Sequence, residues 1–337
     1  MKAKLITGDY SMIEAICMGE MVVDMFCSEI GVPLEKATSF TAIPGGGVAN
    51  VAIGLKKLRI KSGFIGKVGN DHFGTFLART LTEHEVDTRG LRFTNEARTT
   101  LVFVSNTRDG ERNFVFFRHP GADMMLTSED IDESLISEAS IFHFGSISMS
   151  SEPSLSATIR CLEYSHKHHL LVSFDPNLRP QVWADLKKAK ERIKKGIGQS
   201  HLVRMNTEEL KFVVGTNDIR KGSNEILSYG PRMVIITDNE HGSFINTGRL
   251  FRFVKAFKVQ AVDTTGCGDG FTAAILSKVV YWKKKGKYIW DLNIGEIDNI
   301  LVFANAAGGL TATKKGVIPS LPTYPELQQF LRRYSEF

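Results

Sequence analysis

Ile141-Phe142-His143-Phe144, a helical pattern from Pro153 to His168, and then Leu170-Leu171-Val172-Ser173-Phe174-Asp175 form the stretch that decides the fold. Two short apolar runs are separated by a segment long enough to cross back over a sheet, the pattern of parallel strands joined by a helix. The same rhythm continues on either side. Phe64-Ile65 is followed by a helical pattern from Asp71 to Glu85, and the run ending at Asp175 is followed by a charged helix. Such alternation places crossover helices on both faces and implies an α/β fold, a doubly wound, mostly parallel sheet flanked by helices.

One region breaks the rhythm. Thr99 to Val104 and Asn113 to Phe117 are β-rich and joined by Thr107-Arg108-Asp109-Gly110, whose Asp-Gly pair signals a hairpin turn. The extended stretch from Met21 to Ala42 can pair with this hairpin to make a small β-sheet, and a small sheet over a doubly wound core serves as a lid. The expected organisation is a single domain over residues 1–337, with a lid formed by about 20–44 and 97–120. No internal repeat, low-complexity tract or long linker interrupts it.

Hydrophobic residues make up 42% and charged residues 23% of the 337 positions, the profile of a folded globular chain. Lys and Arg exceed Asp and Glu by 42 to 37. The excess is thin apart from runs at Lys187 to Lys195 and Lys283 to Lys287. Neither run interleaves aromatic with basic residues, so no nucleic-acid partner is expected. They read as solvated faces, with a weak anion-attracting surface as the alternative. Cys17, Cys27, Cys161 and Cys267 have no C-x-x-C spacing, which argues against a disulfide framework or a zinc site and suits a reducing cytoplasm. Met1 to Glu14 contain no apolar run of signal-peptide length, and no later stretch approaches the roughly 20 apolar residues of a membrane span. No membrane partner is expected.

The strongest chemical signal is Val262-Asp263-Thr264-Thr265-Gly266-Cys267-Gly268-Asp269-Gly270-Phe271, which opens directly into a helical pattern. A glycine-rich turn at a helix start gathers backbone N–H groups at the positive end of the helix dipole, a natural site for phosphate. A carboxylate there, Asp269, can take a proton from an attacking hydroxyl while the amides stabilise charge on a phosphoryl group. Helix grammar alone also allows a simpler reading, a glycine cap followed by an Asp N-cap. Pro44-Gly45-Gly46-Gly47-Val48-Ala49-Asn50 again sets glycines before a helix, without the spacing of a P-loop or dinucleotide fingerprint.

Together these stretches resemble the ribokinase-like (PfkB) carbohydrate kinase family. Asp263-Thr264-Thr265-Gly266-Cys267-Gly268-Asp269 is similar to its C-terminal signature, departing at Cys267, where alanine is usual. The resemblance implies that Asp269 is the catalytic base and that Gly266, Cys267 and Gly268 form the anion hole. Gly45 and Gly46 match paired glycines at a lid hinge, and Asn50 and Asp24 match residues that hold sugar hydroxyls. Asp175-Pro176-Asn177-Leu178-Arg179 resembles a stretch whose arginine, here Arg179, neutralises phosphate oxygens. Asn206-Thr207-Glu208-Glu209 resembles the element in which Asn206 and Glu209 organise the Mg2+ of Mg-ATP through water. Thr237 to Gly242 corresponds to a nucleotide loop, with Thr237 and Gly242 retained and Asn239 in place of a glycine; Asn tolerates the left-handed geometry better than most residues. Asn305, in the segment Phe303 to Gly316, is implied to contact the nucleotide. Read without the resemblance, Asp24 is a turn residue, Arg179 a surface ion pair, Thr207 an N-cap, and the small residues around Asn305 close packing. Cys267 either turns into the core as a larger alanine or, at a helix start between glycines, gains thiolate character. His241 reads as a surface histidine.

The implied activity is transfer of a phosphoryl group from ATP to a sugar. Ala97 to Thr100, Asp109 to Arg112, Phe117 to Met124 and Phe142 to Ser148 look like stretches of bacterial or plant-type fructokinases, which implies D-fructose phosphorylated at the 6-hydroxyl, with Arg118 a candidate reader of the sugar. A 2-keto-3-deoxygluconate kinase, whose acid substrate needs another cation such as Arg98 or Arg118, and a catalytically silent sugar- or nucleotide-binding regulator are the alternatives. ATP and Mg2+ are the implied cofactors. The resemblance also admits K+, with Asp263 and Thr265 as its candidate ligands, and a homodimer through the lid.

Overall fold

The computed structural model describes residues 12–29, 31–106 and 112–335. The Asp109-Gly110 turn and the first eleven residues lie outside the described residues.

In chain order the elements are β1 (Ala15–Met18), β2 (Val22–Cys27), β3 (Phe40–Gly45), α1 (Gly47–Lys57), β4 (Ser62–Gly69), α2 (His72–Glu83), β5 (Asp87–Thr94), β6 (Leu101–Asn106) and β7 (Arg112–Phe117). The short α3 (Glu133–Ser137), β8 (Ile141–Gly145), α4 (Ser154–Lys167), β9 (Leu171–Asp175), α5 (Leu186–Gly198), β10 (Leu202–Asn206), α6 (Thr207–Val214) and α7 (Ile219–Ser228) follow. The chain continues through β11 (Met233–Asp238), β12 (Gly242–Asn246), β13 (Phe251–Lys255), α8 (Cys267–Lys284), α9 (Ile294–Ala312), α10 (Val317–Ser320) and α11 (Tyr324–Ser335).

A nine-stranded sheet in the order β13-β12-β11-β10-β9-β8-β1-β4-β5 forms the centre. It is parallel except at one edge, where β12 runs antiparallel to both of its neighbours, β11 and β13. Period-two alternation sends neighbouring side chains to opposite faces. Ala15 and Cys17 of β1 pack with α1, α8 and α9 on one face. Ile16 and Met18 join Phe142, Phe144, Val172 and Phe174 in the core beneath α4 and α5 on the other. A sheet with helical cores on both faces is the doubly wound architecture the sequence implies. Helix starts are fixed locally: Asp71 accepts from the Gly74 N–H at 2.8 Å to cap α2. At α6 the cap is Asn206, not Thr207, which is the first helical residue.

A separate four-stranded sheet has the order β3-β2-β6-β7. The stretch from Met21 to Ala42 supplies β2 and the first half of β3, and β2 pairs with the outlying hairpin through a parallel ladder to β6. The chain passes from β3 into α1 through Gly46, whose φ of 112° lies in the region that favours glycine. A Cβ there would fall on the Glu20 carbonyl oxygen. Gly46→Ala is therefore expected to lower stability by about 1–3 kcal/mol, read as a lower urea midpoint at unchanged slope. An unchanged midpoint would show that this joint can relax.

Candidate active site

The parallel strands β8, β9, β10 and β11 end side by side, and α8 starts beside them. Ligands of open α/β sheets gather at this end. A cavity of about 880 Å3 lies here, running from the inner face of the small sheet, past the start of α8, to β12 and α9. Of the residues singled out in the sequence, Asp24, Gly46, Asn50, Arg118, Arg179, Asn206, Glu209, Thr237, Gly242, Thr265, Gly266, Cys267, Gly268, Asp269 and Asn305 line it. Gly45 and Asp263 do not.

Asp269 stands in the first turn of α8, and its Oδ2 accepts from Asn50 Nδ2 at 2.8 Å across 219 residues of sequence. Burial pushes its carboxyl up to about 6, with the hydrogen bond from Asn50 opposing and the Asp175 charge adding to the rise. That value suits a group that must accept a proton near neutral pH. Gly266, just before the helix, has φ 80°, and a Cβ there would strike Val317. A Cβ on Gly268 would sit 2.9 Å from Arg204 Nη1, so its absence lets the turn lie against the guanidinium.

Arg204 is the buried cation of the site. Its Nη1 donates to Asp175 Oδ2 at 3.1 Å and its Nη2 to Thr237 Oγ1 at 2.7 Å. Its buried Nε has no hydrogen-bond partner among the described residues. Burial disfavours its charge, but the carboxylates of Asp175, Glu209 and Asp269 outweigh that and raise its pKa. Thr272 donates to Asp175 Oδ2 as well, at 3.0 Å. Arg179 lies at the cavity edge, exposed, with its Nη1 on the Leu178 carbonyl at 3.2 Å.

Asn206 and Glu209 cap α6 reciprocally: Asn206 Oδ1 accepts the Glu209 N–H at 2.8 Å, and Glu209 Oε2 accepts the Asn206 N–H at 2.9 Å. Glu209 Oε1 accepts the Leu178 N–H at 2.8 Å. Burial raises the Glu209 pKa, the Asp175 charge adds to this, and Arg204 opposes it. Each of its oxygens keeps a second lone pair. No group of three or more His, Cys, Asp or Glu among the described residues is placed to hold a metal ion. The pair therefore fits a hydrated cation held through water and does not fit a dehydrated one.

At the small-sheet end, Asp24 on β2 pairs with Ile43 in the ladder, and its carboxylate reaches diagonally over Gly45, where a Cβ would fall on Asp24 Oδ2. Gly45 thus makes room for the carboxylate instead of lining the cavity. Arg118 is buried and committed: its Nε donates to Asp123 Oδ2 at 2.7 Å and its Nη1 to Ser150 Oγ at 3.1 Å. At the other end Asn239 has φ 45°, the left-handed geometry that the loop requires. Gly242 follows with φ 138°, and a Cβ there would meet the Val254 carbonyl. Asn305 pins the edge strands, donating to Val254 O at 3.0 Å and accepting from Ser243 Oγ at 2.8 Å. Asp263 accepts from the Thr265 N–H and Oγ1 and from the Gly316 N–H, tying the loop before α8 to the start of α10. His241 is exposed, beside Asp238.

Residues 12–324 match the family model described as pfkB family carbohydrate kinase. The chain belongs to that family. Among curated relatives it is 37% identical over 322 residues to probable fructokinase-2 of Arabidopsis thaliana, covering 94% of this chain and 95% of that one. It is also 37% identical over 319 residues to fructokinase-1 of Zea mays, covering 94% and 97%. Among solved structures it superposes on a fructokinase with bound ATP from Xylella fastidiosa (TM-score 0.86, 29% identity, 96% of this chain and 99% of that one). A fructokinase from Vibrio cholerae O395 in a fructose-, ADP- and calcium-bound form superposes with a TM-score of 0.84 at 32% identity, covering 95% and 99%.

Three further carboxylates and cations of this carbohydrate kinase are not singled out by the sequence motifs. Arg204 interrupts the apolar run Leu202-Val203-Arg204-Met205, and a cation inside a strand buried on both sides is itself a signal. Asp175 ends its strand, in a stretch where attention falls on Arg179. Glu20 follows β1: its Oε1 accepts the Gly47 N–H at 3.0 Å, its Oε2 is buried without a partner among the described residues, and burial pushes its carboxyl up to about 7.

Cys267 is half-buried at the cavity wall as the first residue of α8. A small alkylating reagent is therefore expected to abolish kinase activity, Mg-ATP to protect, and Cys267→Ala to be active and resistant. An unmodified Cys267 in mass spectra of the exhaustively treated native protein would overturn this.

Proposed function

We propose that this kinase transfers the γ-phosphoryl group of ATP to the 6-hydroxyl of D-fructose, giving fructose 6-phosphate and ADP. The observation that carries the reading is the buried Asp269 carboxylate at the start of α8, hydrogen-bonded to Asn50 and sharing one cavity with Asp24. The sugar lies between Asp24, Asn50 and the small sheet, with its primary hydroxyl at Asp269. Asp269 takes the hydroxyl proton as the new O–P bond forms, and the Gly266–Gly268 amides and Arg204 stabilise the charge on the transferring group. ATP occupies the arm of the cavity between Thr237, Gly242 and Asn305, with Arg179 at the phosphates. Mg2+, held through water near Asn206 and Glu209, neutralises phosphate charge when bound. K+ is assigned to the Asp263–Thr265 loop.

The small sheet, spanning about 20–44 and 97–120 and pivoting at Gly45 and Gly46, acts as the lid that excludes water as a competing acceptor. Val115 and Phe117 are exposed on it, 45% and 63%, and offer a dimer contact. No helix among the described residues is long and apolar enough to cross a membrane. The four cysteines form no disulfide among the described residues, which fits a reducing cytoplasm.

Support for fructose is the identity to the fructokinases above and the fructose bound in the Vibrio cholerae O395 protein. A panel of sugars and sugar acids with Mg-ATP tests it. D-Fructose is expected to give a higher kcat/KM than ribose, adenosine or 2-keto-3-deoxygluconate. Saturable turnover of the keto acid alone would overturn the substrate, and no turnover of any acceptor would point to a silent binding protein.

A further inference from the structure

At the end of the sheet remote from the catalytic cavity, a second cavity of about 300 Å3 is built around the residues that lead into the strands. His201 directly precedes β10, and Arg232 directly precedes β11. Lys283 reaches in from the last turn of α8, and His166 and His169 from the end of α4. Among the described residues, no carboxylate lines this cavity. The basic run at Lys283 to Lys287, which the catalytic reading leaves unused, thus has one member in a formed pocket.

The groups are held in place. His201 Nδ1 accepts the Val172 N–H at 3.0 Å, which leaves the ring proton on Nε2 as a donor. Its ring faces His166 at 5.9 Å and stacks toward Trp290 at 6.3 Å, and Tyr288 stacks on Trp290 at 4.9 Å. The Arg232 guanidinium lies 5.5 Å from the centre of the Trp290 ring and makes no hydrogen bond or ion pair among the described residues. Lys283 is half-buried, with one proton on the Ser140 carbonyl at 3.0 Å and two others to offer. Burial lowers the Lys283 pKa. Burial also lowers that of His201, and His166, Arg232 and Lys283 push it further down. The cavity therefore holds positive charge that repels itself and meets no acid. Attraction of cations to helix C-termini explains His166 and Lys283. It does not explain Arg232 and His201, which lie on neither a helix nor its last turn.

We propose that this cavity binds a phosphate monoester of a small molecule, with its phosphoryl oxygens on Arg232, Lys283 and the Nε2–H of His201. A guanidinium, an ammonium and an imidazole N–H lining one cavity supply the charge-assisted donors that a phosphoryl dianion requires. The volume falls at the lower limit of small-ligand sites, roughly 300–1,000 Å3, and accommodates an esterified carbon skeleton beside the phosphate.

The test follows the imidazole C–H signals of His201 and His166 by NMR, assigned with His201→Gln and His166→Gln, while the catalytic cavity is kept filled with fructose and a non-hydrolysable ATP analogue. Fructose 6-phosphate, glycerol 3-phosphate and inorganic phosphate are added in separate titrations. The esters are expected to move the His201 signal saturably and to raise its pKa, because an anion offsets the surrounding cations. Arg232→Gln and Lys283→Met should each weaken this by at least about tenfold, with kcat unchanged in the absence of ester and an unaltered melting temperature. His201 signals unmoved by all three probes would overturn the site. So would a shift that persists in the Arg232→Gln, Lys283→Met double variant. Inorganic phosphate binding as tightly as the esters would overturn the assignment to an ester.

Discussion

Asp269→Asn is expected to bind sugar and ATP and to lose at least about 10²-fold in kcat, the scale of general-base removal. The substitution is nearly isosteric, and the new amide can still accept the hydrogen bond from Asn50 Nδ2 through its remaining oxygen. The proposed anion hole at Gly266 and Gly268 is untouched, so what is lost is the proton acceptor. The pH profile separates this from a structural loss. A base must be unprotonated, and burial places the Asp269 carboxyl at about 6. Wild-type kcat/KM should therefore fall as pH drops through about 6, approaching tenfold per pH unit below it, and the residual activity of the variant should lack that limb. Burial also pushes the carboxyl of Glu20, in the same cavity, up to about 7, but its hydrogen bond is to the Gly47 N–H and not to Asp269. Glu20→Gln is therefore the control, and should leave the limb at about pH 6 in place. A loss in Asp269→Asn of less than tenfold, with the acid limb intact, would return the residue to the role of N-cap.

How much of this was legible in the sequence follows from how local each feature is. The crossover units were legible because strands buried on both faces must be apolar almost throughout, as in Ile141–Gly145 and Leu171–Asp175, where every residue is buried. The order of the strands was not. Nothing in the residues of β12 and β13 marks them as the antiparallel edge. Asn305 of α9 pins that edge from a distant part of the chain, donating to the Val254 carbonyl. The phosphate-type turn at Gly266 to Asp269 was legible because helix-start chemistry is written within ten residues. The partners of that turn were not: Asn50 and Arg204 meet it only because β10, α1 and α8 come together in space. Asn305 shows the converse. Its position was flagged by resemblance, but its amide oxygen and nitrogen are both engaged with protein groups, a fact only the packed structure contains.

Arg204→Met should be the most damaging single change in the site, through charge rather than volume. It deletes the cation that sits among Asp175, Glu209 and Asp269 and leaves Asp175 and Thr237 without their 3.1 and 2.7 Å hydrogen bonds. Breaking a buried pair by removing one partner costs about 3–5 kcal/mol, because the remaining charge is uncompensated. The carboxyls respond by taking up protons. Arg204 holds the pKa values of Asp269 and Glu209 down, so its loss must raise both above their present, already elevated positions. Two consequences distinguish this from simple unfolding. The acid limb of kcat/KM should move from about pH 6 to higher pH, so that kcat/KM at neutral pH falls by at least about 10²-fold once the lost phosphoryl contact is included. The folded variant also binds more protons than the unfolded chain between the unfolded and the raised folded pKa values, so its stability falls as pH rises across that window. Its deficit against the wild type should therefore be largest at neutral pH and shrink as the solution is acidified. Arg204→Lys keeps a charge without the two-pronged geometry, and should restore most of the stability and little of the rate. The Arg204 guanidinium also lies 5.9 Å from the centre of the Phe271 ring. Urea midpoints measured across pH for the three proteins decide the matter: a deficit in Arg204→Met that does not change with pH would show that Arg204 acts by packing against Phe271 and not through the three carboxylates.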